Sequence, residues 1–173
     1  MKVGTPLLVL ILACTLSGCS GGPYASGSKS SPAQFGAGLR GTAPITTLGP
    51  ASISAVGSYE YSKWDGGHDD VFSGGIQLRG RPVGSGLILG GEAIYHGWIC
   101  KSDAEAGCGD SPAANGLGLH GLILKPLPGD RIRLWAAAGP KWLTDFESDG
   151  ELAFESGFGW HAQVGAEFAL GSR

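Results

Sequence analysis

Apolar and polar residues alternate with a period of two along most of the chain beyond residue 50, which is typical of β-strands with two different faces. One face carries apolar side chains such as Tyr59, Ile76 and Leu89 and no charged residue, whereas the other carries the polar and charged side chains. The six clearest runs lie near 51–62, 71–81, 86–98, 115–125, 131–143 and 152–170. The pattern therefore predicts an all-β fold, which we interpret as an antiparallel up-and-down β-barrel.

The number of strands is the open point of this prediction. Single-chain bacterial membrane barrels have an even number of strands, from eight upward. Six runs are clear, so two more strands are needed to reach eight. They could come from 33–48, where apolar residues alternate with Gly and Arg, or from a division of 131–156 near Gly139 and Pro140. Otherwise the domain is an open or soluble β-structure.

The connections between the runs are of two kinds. Residues 81–85 and 126–130 are short and contain Pro and Gly, which predicts tight turns. Residues 63–70 and 99–114 are longer and predict loops. Short turns on one rim and longer loops on the other are typical of outer-membrane barrels.

Alternation alone does not show which face lies inside, because soluble and membrane barrels share the pattern. The lysines decide in favour of a polar interior, since they lie in connections or at strand ends, while the charges in mid-strand are Glu and Arg, which can pair in a narrow lumen. These lysines are Lys29, Lys63, Lys101, Lys125 and Lys141. The predicted lumen network consists of Glu60, Gln77, Arg79, Glu92, His120, Arg133, Gln163 and Glu167.

Composition supports a β-fold and excludes one class of partner. The chain has 32 glycines among 173 residues, many of them within the apolar runs, and an interior glycine costs a helix about 1 kcal/mol relative to alanine. The formal net charge is −3, with no basic cluster. We therefore expect no nucleic-acid partner.

The N-terminal segment has the features of an export signal. Lys2 precedes an apolar stretch, which ends in the tetrapeptide Leu-Ser-Gly-Cys at 16–19. This segment resembles the lipobox of bacterial lipoproteins. The resemblance implies that residues 1–18 are removed and that Cys19 carries the lipid, and Ser20 in place of Asp implies sorting to the outer membrane. We therefore expect a lipid-anchored protein of the cell outer membrane, with outer-membrane lipids and the lipoprotein sorting machinery as partners.

The residues that follow the lipobox divide the mature chain into two parts. Residues 19–32 are rich in Gly and Ser, which is the composition of a flexible linker. We predict a tether over 19–32 and a β-barrel domain over 33–171.

Two further cysteines, Cys100 and Cys108, remain in the mature chain beside Cys19. The export signal implies an oxidising compartment, and the polar segment between these cysteines could form a turn that brings them together. We predict a disulfide. The alternative is a metal site, for which two cysteines with no histidine between them are a poor ligand set.

The last run carries a second resemblance, on Gln163, Gly165, Phe168 and Leu170. These residues look like the C-terminal assembly signal of outer-membrane barrels, with Leu170 in place of the usual terminal Phe and three residues beyond it. The Gly-rich alternation over 50–171 is similar to small opacity-protein-like barrels. The resemblance implies the barrel-assembly machinery as a partner.

Two pairs of residues could act in acid–base chemistry: His120 with Glu92, and His161 with Glu167. The candidate nucleophiles are Ser54, Ser58 and Ser73. Lipid A deacylases of similar size carry a histidine and a serine two apart on one strand, and that pattern is absent here. Because Glu, Arg and His also form the inner networks of inert barrels, we predict no catalytic residues and no enzymatic activity.

Acidic residues in the predicted loop at 63–70 are the remaining candidates for a metal site. Asp65, His68, Asp69 and Asp70 lie within six positions, but they lack the alternating acidic spacing and distal Glu of a calcium loop. The Gly-rich strings do not open a helix, as nucleotide motifs require. We predict no metal and no cofactor.

The function that these observations favour is that of a lipid-anchored outer-membrane β-barrel with a structural role or a recognition role through its loops. One alternative is a periplasm-facing lipoprotein whose soluble β-domain binds a small apolar ligand or an envelope protein. A further alternative is a lipid-modifying hydrolase.

Overall fold

The residues that the structure describes form a closed barrel of eight antiparallel strands, in which each strand pairs with its neighbours in sequence and the first pairs with the last. The computed structural model describes residues 19–29, 34–64, 67–84, 86–102, 113–144 and 157–170. The strands are β1 (Cys19–Lys29), β2 (Gln34–Leu48), β3 (Ala51–Trp64), β4 (Gly67–Val83), β5 (Leu87–Ser102), β6 (Ala113–Pro126), β7 (Ile132–Thr144) and β8 (Gly157–Leu170). The predicted all-β, up-and-down barrel is confirmed. No helix in this part of the chain is long and apolar enough to cross a membrane.

The first strand is the main departure from the sequence prediction, because Cys19–Lys29 is β1 and not a tether. Its small residues have little strand propensity of their own, and the strand is held by hydrogen-bonded neighbours on both sides, β2 and β8. Its one aromatic side chain, Tyr24, is buried against Trp135, with ring centroids 5.9 Å apart. Tyr24 lies between Gly38 and Gly165 in register. This segment therefore forms a strand because the barrel closes through it, and closure leaves no open sheet edge.

The two strands that the alternation left open are thus β1 and β2. Residues 33–48 correspond to β2, as one of the alternatives had it. The division of 131–156 near Pro140 is wrong, because β7 runs through this residue and pairs it with Trp160. Only the ladder from β7 to β6 is interrupted opposite Pro140, as expected for a residue without an amide N–H.

The three tight turns, which follow β2, β4 and β6, lie on one rim of the barrel, here called the turn rim. Each contains a glycine with left-handed backbone geometry, a region that favours glycine. These glycines are Gly49 (φ +57°), Gly86 (φ +75°) and Gly129 (φ +90°). Because Cys19 pairs with Leu170, β1 also begins and β8 also ends at the turn rim. The opposite end is the loop rim.

At the loop rim the strands are longer than the sequence predicted. β3 and β4 extend into the expected loop at 63–70, so that only residues 65–66 separate them. Their extension is accompanied by a cross-strand contact in which the rings of Tyr61 and His68 stack 4.9 Å apart, a kind of pair that stabilises a ladder. β5 likewise extends into the expected loop at 99–114, and the remainder of that loop lies outside the described residues.

The two faces of the sheet differ in polarity. The outward face carries large hydrophobic side chains that are 40% to 73% exposed, from Trp142 to Phe35. Most of the ionisable residues on the inward face are at most 8% exposed. They include Arg40, Glu60, Arg79, Glu92, His96, His120, Lys141, His161 and Glu167. The polar face therefore lies inside the barrel.

Candidate functional site

The lumen holds the polar chemistry of this protein, and its contacts fall into three groups. The first, the Glu167 cluster, consists of Glu167, Arg79 and Arg133. Arg79 donates two parallel hydrogen bonds to the carboxylate, of 2.9 and 2.8 Å, and Arg133 donates a third of 3.1 Å. Bidentate pairs of this kind are the strong and directional ones. The cluster therefore links β4, β7 and β8 across the lumen.

The second group, the Glu92 cluster, surrounds a carboxylate whose side chain is 0% exposed. Arg40 pairs with Glu92 and also donates to Gln163 Oε1 at 3.3 Å. Gln77 Nε2 donates to Glu92 at 3.0 Å, and His120 Nδ1 lies 3.1 Å from the same carboxylate. Four groups on β2, β4, β6 and β8 are thus connected to β5 through one buried acid, either directly or through Arg40.

The third group, the histidine cluster, consists of His96 on β5, His120 on β6 and His161 on β8. The ring centroids are 6.2, 5.5 and 5.2 Å apart, and one nitrogen from each ring lies within 4.8 Å of the others. All three residues are at most 5% exposed. His96 Nδ1 lies 2.7 Å from Ser73 Oγ, and His120 Nδ1 contacts Glu92. The nitrogens without a hydrogen-bond partner among the described residues are His96 Nε2, His120 Nε2 and His161 Nδ1.

All eight residues of the predicted lumen network point inward or border the lumen, and seven of them belong to the first two clusters. The eighth, Glu60, packs over Gly36, where an added Cβ would lie 2.2 Å from its carboxylate. Sequence reasoning missed Arg40, whose position on the inward face follows only once β2 is recognised as a strand. It also assigned Lys141 to a strand end, whereas Lys141 is 6% exposed and its Nζ lies 4.1 Å from the ring centroid of Trp98.

The two candidate acid–base pairs are only partly brought together. His120 contacts Glu92, but Glu167 binds the two arginines, and His161 lies among the histidines. Ser73 contacts His96, and a catalytic triad would require an acid on the other nitrogen of that ring. That nitrogen has no partner among the described residues. The described lumen therefore contains no Ser-His-acid triad at His96.

Of the candidate loop ligands, His68 and Asp70 have side chains that the structure describes, and each has another contact. Asp70 accepts a hydrogen bond of 2.7 Å from the Tyr59 hydroxyl, and His68 stacks on Tyr61. Asp65 lies outside the described residues. No metal-ligand group that includes His68 or Asp70 is found in the described part of the chain.

The residues of the predicted assembly signal divide between the two faces of β8. Gln163 is buried in the lumen and binds Arg40, while Phe168 and Leu170 are exposed on the outside. Gly165 is closely packed, since an added Cβ would lie 2.8 Å from Tyr24 Cβ and 2.9 Å from Trp135 Cε2. The role of these residues in assembly stays a prediction.

The two cysteines that the structure describes lie near opposite rims. Cys19 begins β1 at the turn rim and forms no disulfide. Cys100 belongs to β5, near the loop rim, and Cys108 lies outside the described residues. Their disulfide therefore stays a prediction.

The outward face is apolar along the middle of the strands. Among the described strand residues, the exposed charged ones lie within the last three positions of their strands. They are Lys29, Lys63, Arg81 and Lys125. Aromatic side chains are concentrated toward the loop rim. They include Tyr59, Tyr61, Phe72, Tyr95, Trp142, Phe158 and Trp160. An apolar band bordered by aromatic residues is typical of barrels that contact lipid.

Fold and lumen together define an eight-stranded β-barrel with an apolar exterior and a polar, cross-linked interior. No protein-family model and no curated protein matches the sequence. Solved structures similar to the chain include Ail, the attachment invasion locus protein of Yersinia pestis, at 13% identity and a TM-score of 0.45, covering 88% of this chain and 96% of that one. Another is the beta domain of the Bordetella autotransporter Brka, at 12% identity and a TM-score of 0.35, covering 87% of this chain and 98% of that one.

Proposed function

We propose that this protein is an integral β-barrel of the bacterial outer membrane, carries a lipid anchor at Cys19, and acts as a structural or recognition protein without enzymatic activity. The observation that carries the proposal is that the polar face of the sheet points into the barrel and the apolar face points outward. A soluble barrel of this size fills its interior with apolar side chains. Here the interior holds the Glu167, Glu92 and histidine clusters beside a small apolar cluster around Tyr24 and Trp135, and most of the large hydrophobic side chains face outward.

The size of the apolar exterior supports a lipid environment. Each large aliphatic or aromatic side chain is stabilised by about 1.5–3 kcal/mol when it leaves water. The exposed hydrophobic residues lie on every strand from β2 to β8, with Phe35, Leu89 and Leu119 as examples that are 73%, 50% and 45% exposed. Contiguous patches of this kind mark contact surfaces, because exposure of all of them to water is unfavourable.

The rim geometry supports a lipid anchor at Cys19. Bacterial outer-membrane barrels have their short turns on the periplasmic side, which corresponds to the turn rim, where β1 begins. Cys19 pairs with Leu170, and directly paired residues of antiparallel strands share a face. Leu170 is exposed on the outside, so this pairing directs Cys19 to the lipid side of the wall, although Cys19 itself is only 1% exposed and its sulfur must be uncovered before acylation. The acyl chains would then fix the position of the barrel in the membrane, since the embedded barrel would already keep the protein there.

The filled lumen supports a role other than transport. The Glu167 and Glu92 clusters join opposite walls of the barrel through buried ion pairs, and these contacts occupy the space that a channel would need. Recognition therefore falls to the loop rim, on the connections that follow β1, β3, β5 and β7.

Fractionation of the Cys19→Ser variant tests this proposal. We expect the wild-type protein to incorporate labelled palmitate and the variant to lose the label, while both stay in the membrane after carbonate extraction. Both should also migrate faster in detergent gels before heating than after it, because the closed barrel resists unfolding. Release of the variant into the soluble fraction would instead support the periplasmic lipoprotein, and an altered lipid profile on overexpression would support a hydrolase.

A further inference from the structure

We propose that His96, His120 and His161 form a binding site for a divalent transition-metal ion, of which Zn²⁺ is the representative, in the loop-side half of the lumen. Three of the four histidines in the chain meet there, although they lie on different strands. This site is additional to the membrane role proposed above.

The first support is the state of the three imidazole rings. Each ring presents one buried nitrogen that has no hydrogen-bond partner among the described residues. Buried polar atoms are normally paired, so three unpaired imidazole nitrogens in one cluster favour a ligand that they share. Neutral imidazole is a common ligand of Zn²⁺ and similar ions.

The second support is the distance between the rings. One nitrogen from each lies within 4.8 Å of the other two. In tetrahedral coordination with Zn–N bonds of about 2.0–2.1 Å, two ligand nitrogens are about 3.4 Å apart. Small rotations of the side chains therefore suffice to close the triangle around an ion.

The third support is the set of groups behind the ligands. His120 Nδ1 lies 3.1 Å from Glu92 Oε1. A carboxylate only accepts, so it holds the proton on Nδ1 and leaves the Nε2 lone pair for a metal. Ser73 Oγ contacts His96 Nδ1 at 2.7 Å in the corresponding position. Metal-binding histidines are regularly oriented by such partners on their second nitrogen.

The fourth support is the space beside the rings. An added Cβ at Gly118 would lie 2.8 Å from His120 Nε2 and 3.1 Å from His96 Nε2, so the absence of a side chain leaves this volume open. A cavity of about 10 Å³ borders His96 and His161, which is close to the room that one water needs. A water there could complete four-coordination.

Lys141 is the feature that opposes a cation, because it borders the same cavity. Its ammonium lies 4.1 Å from the ring centroid of Trp98, and this cation–π interaction stabilises the positive charge. We expect Lys141→Met to tighten metal binding, since the repulsion is removed. An anion held by Lys141 and the histidines is the rival occupant.

The test is metal binding by the full-length protein refolded in detergent, with heat-dependent gel migration as the check of folding. We expect the wild-type protein to bind one Zn²⁺ per chain. His96→Ala and His161→Ala should each weaken binding by at least about 100-fold, and Ser73→Ala by about 10-fold, which is the lower end of the effect of outer partners. His68→Ala is the matched control, because this histidine lies outside the cluster, and it should bind as the wild type does.

Two further measurements keep the proposal falsifiable if the histidine variants fail to fold. Gly118→Ala retains every ligand but places a methyl group beside two of them, and it should bind at least about 10-fold more weakly than Gly74→Ala, whose added Cβ meets nothing within 4 Å. Co²⁺ in the wild-type protein should show the intense visible absorption of a four-coordinate ion. No Zn²⁺ uptake, equal loss in His68→Ala, only weak six-coordinate Co²⁺ absorption, or binding of inorganic phosphate in place of Zn²⁺ would each overturn the proposal.

Discussion

Substitution of a residue at the middle of the outward face by arginine distinguishes a membrane barrel from a soluble one, because the loss of stability differs between lipid and water. Leu119 is the seventh of the 14 residues of β6, and it is 45% exposed. At about 3.4 Å per residue and a tilt of about 40°, β6 spans about 34 Å along the barrel axis. Leu119 therefore lies within about 2 Å of its middle. In a bilayer, Leu119→Arg should lower the free energy of unfolding by about 2–4 kcal/mol.

Leu48→Arg is the matched control for this variant. Leu48 is the last residue of β2 and is 68% exposed. It lies about 18 Å from the middle of its strand, outside an apolar band of about 25 Å, and its substitution should cost about 0–1 kcal/mol. The assay is urea unfolding of protein refolded in phospholipid vesicles, followed by the fluorescence of the five tryptophans. If both variants stayed within about 0.5 kcal/mol of wild type, as surface changes in water do, the outward face would not contact lipid.

Three further predictions concern the interior and the anchor. Arg40→Ala leaves the buried carboxylate of Glu92 without its arginine and should lower the free energy of unfolding by about 3–5 kcal/mol in the same assay. Lys63→Ala, at an exposed strand end, is the control. A loss for Arg40→Ala no larger than that for Lys63→Ala would show that the ion pair contributes little to stability. Gly165→Ala forces a methyl group against Tyr24 and should cost about 1–3 kcal/mol, whereas Gly74→Ala should fold as wild type does; equal yields of folded barrel for the two would contradict the packing of β1 described above. Cys19→Ser should remove palmitate incorporation with an unchanged unfolding transition, and retained label would place the lipid elsewhere.

The strands and faces of this barrel were predictable to different degrees. The alternation predicts the central parts of β3 to β8, because each of these strands has one apolar and one polar face. β2 was recognisable as an alternative. β1 was not, because Gly and Ser have low strand propensity and its only large apolar or aromatic residue is Tyr24. Its structure depends on pairing with β2 and β8, which no local pattern contains.

The candidate site was also only partly predictable from the sequence. Alternation indicates that Glu92, His96, His120 and His161 share the inward face, but it does not say which of them meet. His96 and His161 lie 65 positions apart by their numbering, and only the closure of the barrel brings their strands to opposite walls of one narrow lumen. Lys141 was misassigned because its position near a strand end gave no sign that the aromatic ring of Trp98 covers its charge.

By itself, the sequence determines the strand class and the two faces, because these depend on residue types at short and regular spacing. Tertiary structure alone decides the inclusion of β1, the pairing of Arg40 with Glu92 and the meeting of three histidines with unpaired nitrogens. The physical reason is that ring closure and strand register join residues far apart in the chain, and the narrow lumen then leaves each inward side chain only a few partners.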